Sequence, residues 1–325
     1  LEAMIHLLEN PDATMDDLLK FVQGPDFPTG GIIFNQTDIR HAYSTGRGGV
    51  TVRGEAEIVE TKAGAFQIII SSIPYHVNKS EFIMKVADLV HEKKLEGIRY
   101  IRDESNKEGV RIAIDLKSAT NPQMVLNSLY KHTDLEQVFN FNMLALVHGV
   151  PKILSLKSIL EEFVSHRKEV IKRRTIYDLR KAEEREHILL GLKKALDFID
   201  EVIKIIRKSK DGPEAHAALI ARFKFSTLQA TAILEMKLQR LAGLERKKIE
   251  DELGEVQTQI KEYNDILANP KRISGIIKAE STALIEKYGD ERRTKVVKHG
   301  VKEIKPEDLI PDEDSVLVLT SGGYI

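Results

Sequence analysis

The most regular pattern along the chain is a heptad-like spacing of apolar residues in a long segment without proline. Residues 160–206 contain no proline and one glycine, which favours a single continuous helix. Apolar side chains in its second half recur in alternating steps of three and four positions, at Leu189, Leu192, Leu196, Ile199, Ile203 and Ile206. This spacing keeps one edge of a helix against a partner helix. A second series with the same spacing ends before Pro270 and consists of Ile249, Leu253, Val256, Ile260, Tyr263 and Leu267. Together the two series predict an antiparallel coiled-coil arm.

The segment between the two series predicts two more helices, at about residues 213–223 and 226–241. The second of these carries more apolar surface than a small helical knob can bury by itself. Two interpretations have equal weight at this point. The helix is either a docking face at the tip of the arm, or it packs onto the coiled coil beneath it.

The first 158 residues show short extended patterns interleaved with helices. The predicted helices are two short ones separated at Asn10-Pro11, one that Asn78 caps and that runs to about Lys94, and one at residues 122–130. The predicted strands are residues 31–35, 50–59, 66–73, 98–101, 110–116 and 143–148, with later strands at 295–298 and 315–320. Strands that return through short loops, with helices placed irregularly, predict an α+β fold with a mixed or antiparallel sheet.

Composition narrows the class of protein. A chain of 325 residues has room for two domains, and the formal net charge of −1 means that any site for a polyanion must be local. The chain has no cysteine, which excludes disulfides and thiolate metal sites and fits a reducing compartment. No apolar stretch approaches the roughly 18 residues of a membrane span. We expect a soluble, cytoplasmic protein and, since both ends interrupt a predicted element, a fragment of a longer one.

The strongest local charge lies at the base of the predicted arm. Residues 166–181 contain seven basic side chains against two acidic ones: Arg167, Lys168, Lys172, Arg173, Arg174, Arg180 and Lys181. They either bind phosphates, with release of counterions, or form a solvated helix face with intrahelical ion pairs. A weaker candidate is the predicted flexible loop at residues 45–49, whose backbone amides and Arg47 suit phosphate. The sequence offers no metal-ligand cluster, no phosphate-binding glycine loop and no convincing nucleophile. The acidic pair Asp103-Glu104 is interpreted as solvated surface.

Seven short sequence motifs, in the same order along the chain, resemble those of the A subunit of bacterial type IIA DNA topoisomerases. They are GPDFPT at 24–29, YSTGRG at 43–48, IPYHVNK at 73–79, IRDES at 101–105, LRKA at 179–182, AILEMKLQRL at 232–241 and YGDERRT at 288–294. The resemblance covers nearly the whole chain. It is greatest to the A subunit of the gyrase type, with that of the topoisomerase IV type next.

The resemblance implies a domain organisation. Residues 1–158 would be the α+β tower domain, followed by a long antiparallel coiled coil with a small helical tip. The implied boundaries are 159–208 for the ascending helix, 209–244 for the tip, 245–288 for the descending helices, 289–310 for the return and linker, and 311–325 for the start of a C-terminal DNA-wrapping domain.

The resemblance also implies roles and partners. Arg47 and the seven basic residues of the arm would bind double-stranded DNA. The tip would be the C-gate, at which two A subunits form a homodimer, through Leu228, Ala232, Met236, Leu238 and Leu241. The topoisomerase B subunit would complete an A2B2 enzyme and would hold the ATP and Mg²⁺, so no cofactor is expected on this chain.

No catalytic residue is expected on this chain either. In the family the nucleophile is a tyrosine that follows an arginine and precedes a threonine, and none of the eight tyrosines here has both neighbours. Arg99-Tyr100 is followed by Ile101. The enzyme would therefore be an ATP-hydrolysing type II topoisomerase of which this chain alone is inactive. The alternative of another class is a non-catalytic coiled-coil dimerisation protein.

Overall fold

The computed structural model describes residues 1–61, 64–118, 120–236 and 243–300. Contacts divide the chain into two compact units, one containing Leu1–Glu162 and the described residues from Tyr288 on, the other Phe163–Lys287. The helices are α1 Glu2–Glu9, α2 Met15–Leu19, α3 Gln36–Thr45, α4 Lys79–His91, α5 Pro122–His132, α6 Leu156–Asp197, α7 Ile199–Lys208, α8 Gly212–Phe223, α9 Thr227–Leu234, α10 Gly243–Ala268 and α11 Pro270–Tyr288. The strands are β1 Ile32–Phe34, β2 Arg47–Arg53, β3 Ala56–Glu60, β4 Phe66–Ile70, β5 Ile98–Asp103, β6 Ile112–Leu116, β7 Glu136–Asn142, β8 Leu144–Val147, β9 Val150–Ile153 and β10 Lys295–Val297.

The first unit contains two four-stranded sheets and a hairpin. One sheet has the order β10-β1-β2-β7 and is mixed, because β1 pairs with β10 in parallel and with β2 antiparallel. The other, β3-β4-β6-β5, is antiparallel throughout. Strands β8 and β9 form a separate two-stranded hairpin. The chain is thus a mixed helix-and-strand protein, and no helix in the described ranges combines the length and apolar character that crossing a membrane requires.

Each sheet packs one face against helices. Phe82 and Val86 of α4, four positions apart and so on one face of the helix, lie in the core of the antiparallel sheet, and each is at most 1% exposed. Burial of a side chain of this size stabilises the fold by about 2–3 kcal/mol. The predicted cap at Asn78 is present, since its side chain accepts a hydrogen bond from the Ser80 amide, and Thr14 forms a capping box with Asp17 at the start of α2.

In the second unit, α6 packs against α10 through the first three residues of the first apolar series and through residues of the second series. Leu189 and Leu192 share a buried cluster with Leu253, among other residues of both helices. Two ion pairs give the relative direction of the helices. Arg185 of α6 pairs with Glu252 of α10, whereas Asp197, later in α6, pairs with Arg246, which comes earlier in α10. The two helices are therefore antiparallel.

The long helix is not continuous to residue 206, and that prediction was wrong. It ends at Asp197, and Phe198 leaves helical geometry with φ −118° and ψ 34° before α7 begins. No proline or glycine causes the break. Contacts with α8 replace helix continuity: the ring of Phe198 lies 5.8 Å from that of Phe223, and Glu201 pairs with Arg222 at 2.6 Å. Tertiary packing therefore overrides local helix propensity here.

The single strand predicted over residues 50–59 is also wrong, because it divides at Gly54 into β2 and β3, which belong to different sheets. Gly54 donates its amide to the Leu135 carbonyl at 2.8 Å, and a Cβ there would lie 2.7 Å from the Leu135 side chain. Helix α3 and strands β7 and β9 were not predicted. The predictions for residues 301–325, including the strand at 315–320, and for Leu238 and Leu241 lie outside the described residues.

Candidate nucleic-acid interface

Arg47 lies at the start of a strand, so the prediction of a flexible loop at residues 45–49 was wrong. Helix α3 ends at Thr45, and Gly46 turns the chain with φ +81°. A Cβ at Gly46 would lie 2.5 Å from the Leu154 carbonyl oxygen, so both the backbone angle and the space require glycine. The turn places Arg47 at the exposed beginning of β2, where the Thr45 hydroxyl donates to its carbonyl at 2.8 Å. Within the described residues its guanidinium contacts no partner.

Two asparagines of β7 share the exposed face with Arg47. The antiparallel register pairs Arg47 with Asn142 and Gly49 with Asn140, and directly paired residues lie on one face of a sheet. The side chains between them, such as Phe139 and Phe141, pack against the core of this sheet instead. Asn140 and Asn142 are exposed, and in the described part of the chain their amides contact no partner.

Glycine at position 49 creates room for this arrangement. A Cβ on Gly49 would lie 2.6 Å from Oδ1 of Asn140 and 2.7 Å from Cγ1 of Val138. The side chains of β7 can therefore lean across β2, which leaves one guanidinium and two amides on a single surface. Sequence reasoning missed both asparagines. The signal was there in the alternation of phenylalanine and asparagine at residues 139–142.

The seven basic residues of the arm do not form one face of α6. At about 100° per residue, Arg167, Arg174 and Lys181 fall on one stripe of the helix. Arg173 and Arg180 lie on a second stripe. Lys168 and Lys172 lie on a third, on the other side of the buried positions. The charge therefore surrounds α6 rather than concentrating on one surface.

Five of the seven are engaged in ion pairs. Arg167 and Arg174 both pair with Glu280 of α11, and Arg173 pairs with Glu169 one turn earlier. Lys181 and Arg180 pair with Glu184, at 2.8 Å and 3.9 Å.

The hydrogen bond between Lys181 and Glu184 raises the pKa of Lys181 and lowers that of Glu184. Arg173, Arg180 and Lys181 therefore form intrahelical pairs, as the interpretation of a solvated helix face has it, whereas Arg167 and Arg174 pair with α11. Lys168 and Lys172 are exposed, and no acidic side chain pairs with either in the part of the chain that the structure describes.

The tip residues differ in exposure. Leu228 on α9 is 66% exposed, whereas Ala232 and Met236 are partly buried against the helical cluster of the second unit. A capping box starts α9, with Ser226 accepting from the Gln229 amide. The Gln229 side chain in turn donates to the His187 carbonyl of α6 at 2.8 Å, which holds α9 against α6.

The acidic pair at residues 103–104 is part of a surface ion-pair network. Lys79 contacts the Asp103 carboxylate at 2.7 Å, and the hydrogen bonds from Lys79 and Ser105 lower the pKa of Asp103 to about 2. Glu104 pairs with Arg102 and Arg111. Such a carboxylate stays ionised near neutral pH, so it does not suit a general acid.

Comparison with known proteins identifies the family. The family model for the A subunit of DNA gyrase and topoisomerase IV matches residues 1–282. Proteins named as the A subunit of DNA gyrase are similar over the whole chain: that of Lawsonia intracellularis is 48% identical over 99% of this chain, that of Clostridium acetobutylicum 48% over 100%, and that of Streptococcus pneumoniae 45% over 100%. The chain spans about 40% of the length of these relatives. It therefore belongs to the family of DNA gyrase and topoisomerase IV A subunits.

Proposed function

We propose that this chain is the DNA-holding and gate-forming part of a gyrase A subunit. With an ATP-hydrolysing B subunit, the whole protein would pass one duplex through another and change DNA supercoiling. The observation that carries this proposal is the similarity, at 45–48% identity over essentially the full chain, to proteins named as the A subunit of DNA gyrase. The second candidate is the A subunit of a topoisomerase IV, because the matching family model includes both types.

The first unit is proposed to be the tower that lies beside the DNA. Its contact surface consists of Arg47, Asn140 and Asn142, which are exposed and uncommitted within the described residues. In the second unit, Lys168 and Lys172 of α6 are separate candidates for phosphate contacts, and the ion-paired arginines of that helix are expected to contribute less. Bending a duplex by 40–90° costs on the order of 1–6 kcal/mol, which several phosphate contacts can offset.

The second unit is proposed to be the coiled coil and the C-gate. The antiparallel packing of α6 with α10 supports this, since it separates the tip helices from the ends of the arm. Two A subunits meet at the tip through Leu228, with Ala232, Met236, Leu238 and Leu241 as further candidates. The assembly is an A2B2 enzyme in the cytoplasm.

The chemistry is assigned to other parts of that enzyme. By the family resemblance, ATP and Mg²⁺ bind to the B subunit, and the tyrosine that attacks DNA has sequence neighbours that none of the tyrosines here has. The residues of this chain bind and orient the duplex and open or close its exit. We therefore expect no protein-linked DNA from this chain alone.

Reconstitution of the full-length protein with its B subunit tests the proposal. With ATP, the enzyme is expected to introduce negative supercoils into relaxed plasmid. Relaxation and decatenation without supercoiling would assign the chain to topoisomerase IV. A protein that dimerises but neither binds DNA at physiological salt nor passes strands would contradict both assignments and indicate a dimerisation protein.

A further inference from the structure

A cleft in the first unit lies where three segments that are distant in the sequence meet. Its lining comes from α2 and the residues just after it, from the first part of α3, and from β10 with the residue that follows it. We call it the return cleft. Its volume is about 570 Å³, which is within the range of sites for small molecules. Leu19, which is buried, and Val296, which is partly buried, form the apolar part of the lining.

Backbone hydrogen bonds fix the end of β10 against the start of α3. The Asn35 amide donates to the His299 carbonyl at 3.0 Å, and the Gln36 amide donates to the Lys298 carbonyl at 3.4 Å. The Thr37 amide donates to the Asn35 side chain at 3.1 Å. The first amides of α3 are therefore already used, so side chains and not the helix terminus supply the donors of the return cleft.

Three basic side chains line the return cleft. Lys298 is exposed, and within the described residues no acidic side chain pairs with it. Lys20 pairs with Asp17 at 2.8 Å, and Arg40 pairs with Asp16 at 2.9 Å. Asp16 is the one carboxylate among the described residues of the lining. Ion pairs between exposed side chains contribute little to stability, so another anion can compete for these cations.

The lining has many hydrogen-bond donors that the protein itself does not use. An ammonium carries three N–H groups and a guanidinium five, and Lys20 and Arg40 each donate one hydrogen bond to a carboxylate. The side chains of Gln23, Gln36 and Thr37 also line the cleft, and they form no hydrogen bond in the part of the chain that the structure describes. The cleft therefore suits a ligand with several acceptor oxygens.

The lining also indicates what kind of anion fits. None of the described residues that line the cleft is aromatic, so it lacks the aromatic platform on which nucleobases stack. Phosphate groups accept hydrogen bonds from several cationic donors at once, and such charge-assisted bonds are stronger than neutral ones. The volume exceeds what a single phosphate group occupies. These features favour a phosphorylated anion without a base.

We propose that the return cleft binds a small anion that carries two or more phosphate groups and no base, of the class of short polyphosphates and sugar bisphosphates. Lys298, Lys20 and Arg40 contact the phosphate oxygens. Because the ligand contacts α2, α3 and β10 together, its binding stabilises the pairing of β10 with β1. The site does not depend on the proposed function, since it requires neither DNA nor a second subunit.

Calorimetric titration of the full-length protein with tripolyphosphate tests the site. The B subunit is left out, because its proposed ATP site would bind the same probe, and divalent cations are left out because they bind tripolyphosphate themselves. Saturable binding is expected. Lys298→Ala should weaken it by about tenfold, since a charge-assisted hydrogen bond is lost, and Arg40→Gln together with Lys298→Ala should weaken it further.

A matched control removes the same number of charges elsewhere in the first unit. Lys107→Ala with Lys131→Ala replaces two exposed lysines outside the cleft and is expected to leave the affinity for tripolyphosphate unchanged. An equal loss in the control would mean general charge attraction and would overturn the site. Absence of saturable binding to the unaltered protein at millimolar tripolyphosphate would overturn it as well.

A measurement on the unaltered protein does not depend on how well variants fold. Saturating tripolyphosphate is expected to protect Lys298 and Lys20 from a lysine-acetylating reagent, as read by mass spectrometry, and to leave Lys107 and Lys131 reactive. Binding without protection of Lys298 would place the anion elsewhere and reject the site. Protection by a short DNA duplex but not by tripolyphosphate would also reject it and assign the cleft to the DNA backbone. Neither result would contradict the proposed function.

Discussion

At the scale of single residues, a few polar side chains join segments that lie far apart in sequence. The Asp26 carboxylate accepts hydrogen bonds from the amides of Arg293 at 3.1 Å and Thr294 at 2.9 Å. The Thr294 hydroxyl accepts from the Phe27 amide at 2.7 Å and is almost fully buried. These contacts hold the returning segment in place so that β10 can pair with β1.

Asp26 is expected to contribute to stability in a pH-dependent way. Burial acts to raise the pKa of Asp26, but the hydrogen bonds from Thr294, together with Arg292, outweigh it and leave the pKa below the ordinary value of 3.8. A lowered pKa means that the stabilisation is complete above pH 3.8 and is lost as pH falls through the folded-state pKa. Asp26→Asn should therefore lower the free energy of unfolding by about 1 kcal/mol at pH 7.

Urea unfolding at several pH values measures this effect. The difference between the protein and the Asp26→Asn variant should narrow as the solution is made more acidic than about pH 4. Asp12→Asn, at an exposed position, is the matched control. A difference that stays constant over this range would contradict the role of the ionised carboxylate.

At the scale of elements, the contact between α6 and α9 depends on a glycine within the long helix. A Cβ on Gly191 would lie 2.6 Å from Cγ and 2.9 Å from Cβ of Gln229, the side chain that donates to the His187 carbonyl. Intrinsic helix propensity favours alanine over glycine by about 1 kcal/mol, so packing and propensity oppose each other here.

Gly191→Ala is expected to destabilise the second unit by about 1–3 kcal/mol, because α9 has to move away from α6. Gly254→Ala on α10 is the matched control, since its Cβ would meet nothing within 4 Å. That control should stabilise by up to about 1 kcal/mol. Thermal unfolding monitored by circular dichroism measures both. If Gly191→Ala also stabilises, α9 does not pack on α6 as closely as the structure has it.

If α6 binds DNA as proposed, ion pairing along the helix predicts which of its basic side chains contribute most to phosphate binding. Lys168→Ala with Lys172→Ala removes two exposed, uncommitted charges and should lower the slope of log K against log salt by about 2. Arg173→Ala with Arg174→Ala removes the same number of charges from side chains that already pair with Glu169 and Glu280, so a smaller change is expected. Equal slopes for the two variants, measured on the full-length protein with its B subunit, would contradict this ranking.

At the scale of the whole molecule, the proposed gate requires two copies to meet. Leu228 is the exposed member of the described tip residues, and charge at the centre of an apolar contact is strongly unfavourable. Light scattering over a range of concentrations should find a stable dimer of the protein, which Leu228→Asp converts to monomer. Leu190→Asp, at a position 44% exposed on α6, is the control that should stay dimeric. A protein that is monomeric at every concentration would refute a gate in this chain.

Local sequence rules determined much of this protein. Asn78 caps a helix and a helix begins at Pro122, as predicted, and Leu189 and Leu192 of the first apolar series meet Leu253 of the second across α6 and α10. Family membership also followed from sequence, through ordered phrases such as residues 24–29 and 288–294. Each of these signals lies within a stretch of neighbouring residues, so it can be recognised in a single sequence.

The tertiary structure alone decided where side chains from distant segments meet. It broke the long helix at Phe198, because contacts with α8 outweigh continuity, and it changed the loop at Arg47 into a strand by pairing it with β7. It also brought Glu280 into contact with Arg167 and Arg174, which are 113 and 106 residues away in the sequence. No local pattern encodes such pairs. The ion pairing and the exposure of a side chain depend on all the residues that pack around it, including residues distant in sequence. The sequence therefore determined many of the elements and the family, whereas the fold decided which cations remain unpaired and which apolar side chains remain exposed.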